Sequence, residues 1–212
     1  MRRLIDVGLE ELATKLMHMG ELAERTLNLS ITGFLEGIDV SDKVQSLSDM
    51  VVNMSADAED KAFELISKFQ PVASDLRIIK SYMKIGYDLE RYGRYAWDIS
   101  FVHKRVADSE KCVDAWQPIR DMTSLVVRMV HMSILALRAH DAELARSLSE
   151  TENKVDEMYL NYLDHVTKIP CLTKCAATNL LVVRYLERIA DHATYIGESI
   201  IYIVKGEKVI LR

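Results

Sequence analysis

Glycine and proline are scarce in this sequence, with eight glycines and three prolines in 212 residues. That is roughly 5% against a usual 12% or so. With so few breakers the elements must be long, and a fold of many short strands and tight turns is excluded. Cysteine is also rare: Cys112, Cys171 and Cys175. An odd count and a CxxxC spacing point away from a disulfide framework or a zinc knuckle. The expectation is three reduced thiols, buried as small apolar groups in a reducing, cytoplasmic protein. No apolar run reaches 18 residues, since LVVRMVHMSILAL is broken by Arg128 and His131. No membrane-spanning helix is expected. The N-terminus turns acidic by Asp6 and does not read as a signal peptide. A basic excess is lacking too: net charge is −5, so the chain does not read as a nucleic-acid binder.

Good helix formers fill the chain. Ile5, Leu9, Leu12, Leu16, Met19 and Ala23 follow 4-3-4-3 spacing, the seam of a helix in a bundle. Gly33 and Gly37 suggest a helix end. The period resumes from Val44 to Phe69 and stops at Pro71, because the residue before proline avoids the α region. A third helix spans about 73–103, with Gly86 and Gly93 on its seam. Mid-helix glycines are costly unless a neighbour approaches closely, so tight packing is expected there. Residues 104–111 (KRVADSEK) read as a connector. A fourth helix follows Pro118, Asp141 marks a turn, a fifth runs to about Lys168, and a sixth from about Cys171 to Val204 ends at Gly206. The expected fold is all-α, six long helices and nothing else.

The chain also repeats. YDLERYGRYAWDI (87–99) aligns with RYLERIADHATYI (184–196) at a shift of 97 positions, and Pro71 and Pro170 stand 99 apart. Two similar three-helix bundles follow, 1–106 and 107–212. In the second, Glu152 and Asp156 form an acidic i, i+4 pair 35 positions before Glu187 and Asp191. A helix, a turn and an equal run back would place both pairs at similar height on adjacent helices. Each pair lies at the edge of a packed face. Partly buried carboxylates need a proton, a cation or a metal. Salt bridges to Arg184, Arg188 or Lys154 are one solution, and a hard or first-row metal ion is another.

Enzyme signatures are missing. There is no Walker loop, GxGxxG, GxSxG or HExxH, and no histidine has a glutamate three residues before it. His192 turns about 100° from Asp191 on a helix and reads as a surface or packing histidine, not a ligand.

QPVASDLR (70–77), DLERYG (88–93) and YLERIADHATYIGESIIYIVKGE (185–207) resemble the PhoU family of phosphate-uptake regulators, over essentially the whole chain. The resemblance implies two three-helix bundles and no enzyme activity. It implies negative regulation of phosphate uptake and phosphate homeostasis, through contact with the ATPase of the phosphate ABC transporter and, in many bacteria, a sensor histidine kinase. It further implies a cytoplasmic homodimer, peripheral to the membrane only through its partners, with no direct nucleic-acid contact. Some members bind iron or zinc through E/D-x-x-x-D motifs, while others show Mg²⁺ or no functional metal. That motif is intact here at Glu152, Asp156, Glu187 and Asp191, so Fe, Zn, Mg or Mn could belong in the second bundle. In the first, Ser55 and Arg94 stand where acids are usual, beside Glu59 and Glu90. Arg94 and Glu90 are expected to form an i, i+4 ion pair instead of a metal site. The alternative reading is a PhoU-like metal-binding module that regulates another transport system.

Overall fold

The computed structural model describes residues 3–106, 112 and 117–211. Six long helices carry the fold: α1 (Leu4–Glu36), α2 (Ser41–Phe69), α3 (Ala73–Val106), α4 (Pro118–Ala139), α6 (Leu148–Thr167) and α7 (Lys174–Lys205), with a five-residue α5 (Ala142–Arg146) between α4 and α6. No strand occurs among the described residues. Helices α1, α2 and α3 pack on one another, and so do α4, α6 and α7. The all-α fold of two three-helix bundles is therefore as the periodicity indicated.

The ends follow local chemistry. Gly37 and Gly206 take left-handed φ of 72° and 74° and cap α1 and α7. Gln70 takes the same role before Pro71. Thr173 caps α7 by accepting from Ala176 N–H at 3.1 Å. Asp141, expected to mark a turn, also starts α5: its carboxylate accepts from Glu143 and Leu144 N–H at 2.9 and 3.0 Å. Gly33 lies inside α1 and not at its end. Residues 104–106, placed in the connector by sequence, continue α3; 107–111 lie outside the described residues.

The glycine expectation holds in part. A Cβ on Gly86 or Gly93 would meet Leu16 Cδ2 or Val51 Cβ at 3.4 Å, ordinary contact and not a clash. The close approaches are instead at Gly8, against the Leu65 side chain, at Gly33, against Val40 and the Ile38 carbonyl oxygen, and at Gly197, where a Cβ would meet the Ala145 carbonyl oxygen of α5 at 3.0 Å.

One apolar core runs through both bundles, from Leu12 and Leu16 to Ile196 and Ile200. The bundles join mainly along α3 and α7, with α1 against α4 beside them. Arg138 to Glu21 (2.6 Å) and His131 to Glu24 (2.9 Å) bridge the α1–α4 seam. By length and composition α4 alone, among the described helices, would suffice to cross a bilayer; half of that stretch is buried in the core.

The cysteine expectation is corrected. Cys112 and Cys175 form a disulfide, and Cys171 is free and exposed, not buried. Count and spacing carry no information about approach in space. The fold lays Cys112 against the first turns of α7, where Asn179 Nδ2 also donates to the Cys112 carbonyl at 2.6 Å.

Candidate metal site and the interface between the bundles

Two features could carry function: the acidic cluster on α6 and α7, and the α3–α7 interface. In the cluster, Glu152, Glu187 and Asp191 are buried and Asp156 is half-buried. Burial raises the Glu187 carboxyl to about 7, with Asp191 and Asp156 adding repulsion. Glu187 therefore feels Asp191 on its own helix and Asp156 across the α6–α7 contact. Glu152 is buried one turn before Asp156.

Glu187 and Asp191 are met by arginines of their own helix. Arg184 Nη1 lies 2.7 Å from Glu187 Oε2, an ionic approach not aligned as a hydrogen bond, and Arg188 Nη1 donates to Asp191 Oδ2 at 3.3 Å. Both arginines are partly solvent-exposed. Among the described residues, no three His, Cys, Asp or Glu side chains are disposed to hold a metal ion. In the first bundle Arg94 Nε stands 3.8 Å from Glu90 Oε1, a loose i, i+4 ion pair.

The interface holds what the sequence reading missed. His192 is buried, and its Nδ1 lies 2.8 Å from Oδ1 of buried Asp88. The free atoms of the pair, Asp88 Oδ2 and His192 Nε2, have no hydrogen-bond partner. Burial pushes the Asp88 carboxyl up, opposed by His192 and Lys84 and reinforced by Glu198. Tyr87, Tyr95 and Tyr195 ring the imidazole, with centroids 5.4–6.1 Å away.

The repeat explains this arrangement. At the shift of 97, Asp88 corresponds to Tyr185 and Tyr95 to His192. Tyr95 and Tyr185 stack at 6.0 Å. The same two positions thus meet twice across the pseudo-two-fold, once as an Asp–His pair and once as an aromatic stack. The arginines of the two LER motifs converge there also: Arg91 Nη2 donates to the Tyr95 hydroxyl at 2.8 Å and Arg188 Nε at 3.4 Å. A signal was available, since Ile85–Asp88–Tyr92 and Ile189–His192–Ile196 are both seam rows. A charged residue in a seam row needs a buried partner.

A PhoU domain matches twice, over residues 16–101 and 119–200. The chain belongs to the PhoU family. A phosphate-specific transport system accessory protein PhoU homolog of Clostridium acetobutylicum is 32% identical over 99% of this chain and 98% of its own length. The homolog of Pseudomonas aeruginosa is 29% identical, over 95% of this chain and 85% of its own. The crystal structure of PhoU from Pseudomonas aeruginosa superposes with a TM-score of 0.88 at 27% identity, covering 95% of this chain and 99% of that one. That of the phosphate transport system regulatory protein PhoU from Streptococcus pneumoniae gives 0.86 at 21% identity, a likeness of fold. The PhoU matches take in both LER motifs, the α3–α7 interface they build and the four acids.

Proposed function

We propose that this protein is a non-enzymatic regulator of phosphate uptake and cellular phosphate homeostasis. It acts in the cytoplasm by contact with the ATPase of the phosphate ABC transporter, and through that complex on a sensor kinase. The carrying observation is the 32% identity over 99% of the chain with a phosphate-specific transport accessory protein. Two bundles locked along α3 and α7 offer a rigid surface for such contacts, with single exposed apolar residues such as Phe63 and Leu160 outside the core. The test is a pull-down with the tagged protein from cells grown in high and low phosphate, alongside phosphate uptake in a deletion strain. Recovery of the transporter ATPase and altered uptake are expected. Uptake unchanged by deletion would favour a regulator of another transport system.

A second element of the proposal is a cation in the second bundle, held by Glu152, Asp156, Glu187 and Asp191 once their side chains regroup, since as they stand no three of them are disposed around one point. All four offer oxygen, which suits Mg²⁺, Mn²⁺ or iron better than a thiolate-seeking ion. A bound cation would supply charge neutralisation. The raised Glu187 carboxyl supports this: burial is its main cause, and repulsion from Asp191 and Asp156 adds to it against the opposing pull of Arg184 and Arg188. Arg184 and Arg188 are partly exposed. Metal analysis of the purified protein and of Glu187→Ala/Asp191→Ala tests the assignment. Equal metal content in both would refute it.

A further inference from the structure

After the Gly206 cap the chain turns back along α7, and Leu211 N–H donates to Glu198 Oε1 at 3.2 Å. This tail, α7 and the first half of α3 enclose a groove of about 440 Å³, lined by Lys80, Lys84, Glu198, Tyr202, Lys208 and Ile210 among others. The volume falls in the range of small-molecule sites, roughly 300–1,000 Å³, and exceeds what a lone ion needs.

Its charge runs against that of the protein. The chain carries a net −5, yet this groove gathers Lys80, Lys84 and Lys208 against one acid. Arg77, one turn before Lys80 on α3, lies beside the groove, outside its lining, against Tyr202. Glu198 is already engaged, by Leu211 N–H and by Lys84 at 3.6 Å. Lys80 and Lys208 have no carboxylate partner among the described residues. Arg77 Nε is buried without a hydrogen-bond acceptor. Its guanidinium lies 5.8 Å from the Tyr202 ring centroid, and Lys208 Nζ lies 6.0 Å from the same ring. Gly206 seats this guanidinium, since a Cβ there would meet Arg77 Nη1 at 2.9 Å. A buried donor without an acceptor is costly, and Arg77, half-buried beside the groove, adds positive charge that favours an anion there. The tail that brings Lys208 also adds apolar lining, Val209 and Ile210, the latter 81% exposed.

We propose that this groove binds a small organic phosphate, its phosphates against Lys80 and Lys208, beside Arg77, and its uncharged body against Tyr202, Val209 and Ile210. Guanidinium and ammonium groups together match a multiply charged phosphate better than a single carboxylate. The inference stands apart from the transporter reading, which names no small ligand and would survive its failure.

The test is titration calorimetry on the full chain, with ADP as the organic phosphate and inorganic pyrophosphate as the bare anion. ADP is expected to bind saturably and more tightly than pyrophosphate. The Lys80→Ala/Lys208→Ala variant, which removes exposed side chains and should fold, is expected to lose at least tenfold in affinity, and Lys80→Arg/Lys208→Arg to retain it. Pyrophosphate binding as tightly as ADP would overturn the role of the apolar lining. No saturable ADP binding, equal affinity in the alanine variant, or capture only by phosphatidylglycerol vesicles would overturn the proposal.

Discussion

At the residue scale, the buried Asp88–His192 pair fixes how α3 sits against α7. One atom of each meets the other at 2.8 Å, and both side chains are buried. Removing one strands the other. Asp88→Ala should therefore cost about 1–3 kcal/mol in unfolding free energy, read by urea denaturation. Exposed Asp60→Ala should change it by no more than about 0.5 kcal/mol. Glu187 predicts a pH dependence. Its native carboxyl titrates near 7, against an ordinary 4.5. The native state then binds more protons than the unfolded state between those values, so stability falls as pH rises through that window. In metal-free protein Glu187→Gln should flatten the fall and be the more stable form at about pH 8, by about 1 kcal/mol after allowance for the partly exposed arginines. A thermal-melt series across pH, with chelator present, measures it; an unchanged slope would show that Glu187 titrates normally.

At the element scale, two helix glycines that look alike in sequence should behave oppositely. Gly93→Ala places its methyl in ordinary contact with Val51 and gains helix propensity, so it should be neutral or stabilising by up to about 1 kcal/mol. Gly197→Ala drives a methyl towards the Ala145 carbonyl and the side chains of Leu148 and Leu211, and should lower the melting temperature. Melting curves of the two variants separate these outcomes. The same contrast shows what was legible beforehand. The six long helices were, because 4-3 spacing and the prolines at 71, 118 and 170 are local signals. Helix α5 was not, because five residues are too few to show a period. The acids on α7 were visible as an i, i+4 pair. Asp88 with His192, 104 positions apart, needed the α3–α7 packing to bring them together. The cysteine pair failed for the same reason.

At the scale of the whole molecule, the Cys112–Cys175 bond ties the start of the second bundle to its last helix. Closing a loop of 63 residues restricts the unfolded chain by roughly 4 kcal/mol in the loop-entropy account. Reduction with dithiothreitol should therefore lower the denaturation midpoint without unfolding the protein, since the Asn179 bond and the shared core remain. Cys175→Ala should reproduce that shift and then be insensitive to reductant. The bond also alters how the chain carries load. Pulled from its two ends, the oxidised protein passes tension from residue 112 straight to residue 175 and shields α4, α5 and α6 from it. Roughly 220 Å of contour length, at about 3.5 Å per residue over that separation of 63, stays hidden in a force–extension trace until the bridge opens.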